Sequence, residues 1–124
     1  MQYMVLIYGD ETALANVPPE RQAEYSQAWV DYTQWLKDQG VHVAGDALHP
    51  TPSATTLRFD AEGKSMATDG PFAETKEQLG GYYLLDCKDL DEAIAAASRM
   101  PVRGGSVEIR PVMQFDEEGN PRMP

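Results

Sequence analysis

The sequence predicts an α+β domain, and three observations carry the prediction. Apolar runs bounded by glycine and proline recur at residues 3–8, 41–48, 82–87 and 106–113, as strands do. Two segments between them place apolar residues three and four apart, as helices do. A turn-rich stretch between the second and third runs reads as an added hairpin. The 124 residues suit one domain, and 42% hydrophobic with 24% charged residues argues against disorder.

The first run, from Tyr3 to Tyr8, is apolar throughout, which suits a central strand covered on both faces. Residues 9–17 read as a polar connection. Pro18-Pro19-Glu20 opens a helix, because proline gives up no bonded N–H in the first turn and an early acid suits the helix dipole. Tyr25, Ala28, Trp29, Tyr32, Trp35 and Leu36 draw one stripe on it, read as core, and Gly40 stops it. After the second strand, Pro50 and Pro52 break the sheet pattern. Residues 54–59 and 65–68 then flank a turn near Gly63, and Asp69-Gly70-Pro71 closes this hairpin. Residues 72–79 fit either a short helix or an extended loop.

Gly80-Gly81 leads into the third central run. Asp89 and Glu92 form a capping box for a second helix with a buried stripe of Leu90, Ala93, Ile94 and Ala97, ending near Met100-Pro101. Gly104-Gly105 turns the chain into the last strand, and residues 114–124 read as a polar, frayed tail after a single domain of residues 1–113. The order is the split βαβ plan of a ferredoxin-like fold with an inserted hairpin. Both helices then lie on one face of the sheet. The other face also carries apolar groups, and an uncovered patch of that size invites association. A homodimer packed sheet to sheet is the expectation.

Several function classes drop out. The one cysteine, Cys87, leaves no internal disulfide. The N-terminal residues read as a strand and not as a leader, and no apolar run approaches the ~20 residues of a membrane helix. A cytoplasmic location follows by elimination. Twenty acidic residues against ten basic ones give a net charge of −10, which repels nucleic acid and anionic membranes. The two histidines, His42 and His49, fit no metal motif, so no metal is expected. No glycine-rich phosphate loop or nucleophile elbow occurs, and no cofactor is expected. Cys87 stands among Asp86 and Asp89, acids that raise a thiol pKa.

What remains is Thr68-Asp69-Gly70-Pro71-Phe72-Ala73-Glu74-Thr75-Lys76, followed by Tyr82 and Tyr83. This stretch resembles the DGPF motif of the YCII-related family. Residues 3–10 and 105–112 resemble it too, so the likeness runs over nearly the whole chain. The resemblance implies a dimeric α/β-barrel arrangement of ferredoxin-like domains. It also implies a pocket with a His and an Asp, and for one type of relative the removal of chloride from an aromatic ring. The wider group often carries that His on the first helix; here the helix has none, and Glu24 stands near that place. A neighbouring gene for an extracytoplasmic-type sigma factor is also common in the family, which implies a regulatory role as the alternative.

The residues themselves support two competing roles. Asp69 before Gly-Pro caps a turn or acts as a general base. His49 is a surface histidine or shuttles protons beside Asp69. Lys76 and Arg110 are solvated or hold a carboxylate or phenolate. Phe72, Glu74, Tyr32 and Tyr83 complete the candidate substrate contacts. One of Tyr82 and Tyr83 must face away from the helices, because strand neighbours alternate. The first expectation is a pocket without cofactor that performs proton transfer, an isomerisation or elimination, on a small aromatic or carboxylated molecule. The second is a non-catalytic sensing module that contacts a sigma factor.

Overall fold

The computed structural model describes residues 1–122. Four antiparallel strands form the main sheet in the order β2-β5-β1-β6: β1 (Gln2–Gly9), β2 (His42–Ala47), β5 (Gln78–Asp86) and β6 (Ser106–Pro111). The helix α2 (Pro19–Asp38) joins β1 to β2, and α3 (Leu90–Ala97) joins β5 to β6. β1 runs parallel to β2 with β5 between them, and β5 runs parallel to β6 with β1 between them. This α+β arrangement is consistent with the ferredoxin-like plan read from the sequence.

Alternation along the strands divides the sheet into two faces. Tyr3 pairs with Leu85, Val5 with Tyr83 and Ile109, and Ile7 with Gly81 and Val107. This face packs beneath the helices, where Tyr3, Val5, Tyr83 and Leu85 share a buried cluster with Tyr32 and Leu36 of α2 and Ala93, Ala96 and Ala97 of α3. Met4, Leu6, Tyr82 and Leu84 lie on the other face, and all four are only half-buried.

Local capping follows the sequence with one shift. Asp89 accepts from the Glu92 N–H at 2.9 Å, but the Glu92 carboxylate reaches the N–H of Lys88, one residue before the cap. The buried stripe of α3 differs from the expected one: Ala96 replaces Leu90 and Ile94, which stand 48% and 44% exposed. Tyr32, Cys87 and Met100 share the buried cluster with the three alanines, so α3 brings methyl groups to it.

Two further expectations need correction. Residues 9–17 are not plain connection. Asp10 accepts from the N–H groups of Thr12 and Ala13 and starts α1 (Glu11–Ala15). Residues 114–124 are not simply frayed. β7 (Gln114–Phe115) pairs with β8 (Pro121–Arg122), and the Asp116 carboxylate accepts from the N–H groups of Glu118 and Asn120. The last two residues of that expected tail lie outside the described ones.

The inserted hairpin is β3 (Thr55–Phe59) with β4 (Ser65–Asp69), a sheet of its own. Residues 72–77 form an irregular loop, and β5 begins already at Gln78, so Gly80-Gly81 lies inside the strand. Among the described residues, no helix is long and apolar enough to cross a membrane.

Candidate functional site

A cavity of about 820 Å³ lies between α2, α1 and the helix-covered face of the sheet. It exists because of what the strands lack. Gly45, Gly81 and Gly105 face it with no side chain, and each has a backbone carbonyl too close for an unstrained Cβ. Opposite this floor, α2 presents Ser26, Trp29, Val30, Thr33 and Lys37 in steps of three and four, beside its core stripe.

The walls are aromatic. The rings of Trp29 and Tyr83 stack at 6.3 Å with an interplanar angle of 18°. Tyr25 meets Trp29 edge-on at 6.2 Å, and His42 meets Tyr83 edge-on at 6.0 Å. Such contacts fix ring orientation as well as burying area. The Tyr83 hydroxyl stands 2.5 Å from Thr33 Oγ1.

The charged groups around the cavity divide by sign. Each acid holds a hydrogen-bond partner. Asp10 caps α1. Glu11 accepts from the Thr51 N–H at 2.8 Å and from its hydroxyl at 2.7 Å. Asp46 accepts from the Tyr82 hydroxyl at 2.7 Å, on the opposite sheet face, and this bond raises the Tyr82 pKa above its ordinary value. The two cations, Lys37 and Arg103, are exposed and make no ion pair among the described residues. The cavity thus combines aromatic walls and a glycine floor with three hydrogen-bonded carboxylates and two cations outside any ion pair among the described residues.

A smaller cavity of about 420 Å³ lies beneath the Gly70-Pro71 turn, between Thr12, Thr51, Glu74 and Thr75. Glu11 and Gln78 line both cavities and stand between them. The Glu11 N–H donates to the Gln78 side chain at 3.0 Å, which ties α1 to the start of β5.

The candidate residues read from sequence fall into separate places. Tyr83 lines the larger cavity. Tyr32 lies behind it in the core and donates to the Ala96 carbonyl at 2.7 Å, tying α2 to α3. Burial, then the neighbouring Tyr83 and Cys87, pushes its hydroxyl pKa well above the ordinary value. Glu74 lines the smaller cavity. Asp69 and His49 are exposed and line neither of these two cavities; His49 falls beyond the end of β2. Phe72 is exposed, and its carbonyl accepts from Arg58, whose guanidinium stands 5.6 Å over the Phe72 ring. Lys76 is exposed. Arg110 pairs with Glu108 on the outer sheet face, which raises its pKa further. Cys87 is buried, and burial first, then Glu92 and Asp86, pushes its thiol pKa up.

Trp29, which the sequence reads only as core, and Thr33, Lys37 and Arg103 are not among the candidate site residues of the sequence. Two signals mark them. A second polar-aromatic stripe runs along α2 at residues 26, 29, 33 and 37, and glycines interrupt the strands that face it.

A family model described as the YCII-related domain matches residues 1–116. An uncharacterised protein of Rhizobium meliloti (strain 1021) is 39% identical over 118 residues, covering 93% of this chain and 94% of that protein.

Proposed function

The chain belongs to the YCII-related family, and from its own geometry we propose that it binds a small aromatic anion in the cavity beneath α2. The observation that carries this reading is the pairing of aromatic walls with free cations. Trp29 offers flat apolar surface backed by the buried Tyr83 ring, and Lys37 and Arg103 are the two cations that line the cavity. A carboxylate or phenolate there meets two cations that no acid holds in an ion pair among the described residues. Stacking on Trp29 adds about 0.5–1.5 kcal/mol beyond area burial.

The proposal extends to a homodimer. Met4, Leu6, Tyr82 and Leu84 form a half-buried apolar strip on the sheet face away from the helices. A second copy packed on that strip removes it from water. The cavity stays on the helix side of each copy.

Benzoate and indole titrated by calorimetry test the binding reading. Both should bind saturably, benzoate more tightly. Ser26→Trp, which fills the cavity from an exposed helix position, should abolish both while circular dichroism stays unchanged. Absence of saturable binding of either probe at millimolar concentration refutes the reading.

A further inference from the structure

We infer that Tyr83 faces the cavity as a hydrogen-bond acceptor and selects ligands that carry a donor, a hydroxyl or an amine, on the aromatic ring. The inference rests on the reading that the cavity takes a small aromatic anion, and it adds the polarity of the second contact.

The number of protons available to these hydroxyls sets the polarity. Thr33 Oγ1 lies 2.9 Å from the Trp29 carbonyl oxygen and 2.5 Å from the Tyr83 hydroxyl. A threonine hydroxyl has one proton. The carbonyl oxygen of Trp29 can only accept, so the Thr33 proton must point at it. Otherwise two oxygens would face each other at 2.9 Å with nothing between them. The short contact between Thr33 and Tyr83 then has to use the proton of Tyr83. The chain of donation runs from Tyr83 to Thr33 to the Trp29 carbonyl.

This direction is fixed by the helix. The Trp29 carbonyl lies one turn before Thr33 in α2, and the threonine bonds back to it in the usual way for a hydroxyl inside a helix. Tyr83 in turn cannot swing away. The residue is 8% exposed, and its ring is held by Trp29, Tyr32 and His42. With its proton committed to Thr33, the phenol oxygen keeps only lone pairs for a bound molecule. A ligand hydroxyl or amine can donate to it. An ether or carbonyl oxygen placed there meets another acceptor. A methyl group there leaves the phenol without that bond, and a site built around a polar partner discriminates against such analogues.

Lys37 and Arg103 accept the anionic end of the same molecule, so the ligand class is a hydroxylated or aminated aromatic acid. The two ends are recognised by opposite chemistry, cations at one and a lone pair at the other.

Calorimetry with four probes tests this: benzoate, para-hydroxybenzoate, para-methylbenzoate and para-methoxybenzoate. In the native protein the hydroxy compound should bind about tenfold more tightly than its methyl isostere, as one good hydrogen bond allows. Tyr83→Phe should reduce that ratio to within about twofold. Thr33→Val removes the group that holds the Tyr83 proton, so Tyr83 regains a donor, and the methoxy compound should gain affinity relative to the native protein. Equal binding of the hydroxy and methyl compounds to the native protein overturns the inference while leaving the cavity reading intact, provided benzoate binds. Persistence of the preference in Tyr83→Phe also overturns it. Failure of benzoate itself to bind overturns the cavity reading and this inference with it.

Discussion

Replacing Gly45 with alanine would place a Cβ 2.6 Å from Cδ1 of Tyr83 and 3.0 Å from its Cε1 and from the Tyr82 carbonyl oxygen. Something must shift, and the ring has little room to do so. It stacks on Trp29, meets Tyr32 and His42 edge-on, and shares a hydrogen bond with Thr33. Overpacking together with loss of the Thr33 bond costs about 2–3 kcal/mol. The reduced freedom of the unfolded chain returns about 0.5 kcal/mol. The net loss of about 2 kcal/mol corresponds to a fall in Tm of about 6–10 °C for a chain of this length. Thermal and urea unfolding followed by circular dichroism would read it. The same substitution in a Tyr83→Val background, where Cδ1 and Cε1 are gone and only the 3.0 Å approach to the Tyr82 carbonyl oxygen remains, should cost less than half as much. An equal cost in both backgrounds, or no cost in either, would refute the claim that Gly45 is required by the Tyr83 ring.

Tyr32→Phe removes the bond to the Ala96 carbonyl and should cost about 1 kcal/mol in urea unfolding. Because burial raises the Tyr32 pKa in the folded chain, the unfolded state releases that proton first, and stability should fall as pH rises above about 10, by up to about 1.4 kcal/mol per pH unit. The Phe variant should show a shallower alkaline decline; an identical decline would assign it elsewhere. Replacing both Lys37 and Arg103 with glutamine should weaken benzoate about fivefold and remove the loss of affinity on adding salt, with unchanged affinity counting against their role. For the dimer, sedimentation should give twice the chain mass, and Leu6→Lys should give a monomer with unchanged circular dichroism. A native chain that sediments as a monomer at micromolar concentration would contradict the pairing.

The strands and long helices were legible because their signals are local and periodic. The run of Tyr3 to Tyr8 and the stripe through Tyr32 and Leu36 each name one element without help from the rest of the chain. The five residues of α1 were missed although Asp10 and Glu11 carry the signature of a helix start; a single turn is too short for periodicity to show. The stripe of α3 was misplaced by the choice between neighbouring faces of an alanine-rich helix, which packing against Tyr32 decides. The cavity was the least legible part. Trp29 reads as core in the sequence, and it does pack there, but its other side faces an opening made by Gly45 and Gly81 on different strands. An absence of side chains leaves no motif. The Asp69-Gly70-Pro71-Phe72 sequence drew attention as chemistry, whereas much of its visible bonding is structural: the Gly70 N–H donates to the Ala54 carbonyl at 2.8 Å, and the Gly70 carbonyl accepts from Thr56 at 2.7 Å.

The central claim is that a small aromatic anion occupies the space between α2 and the sheet. The two tryptophans of the chain test it directly, because Trp29 lines that space and Trp35 lies outside it, under Arg99. Titration with benzoate should quench the intrinsic fluorescence of the native protein along a saturable curve. The quench should persist in Trp35→Phe and vanish in Trp29→Phe. A saturable quench that survives in Trp29→Phe and disappears in Trp35→Phe would place the ligand elsewhere and contradict the account.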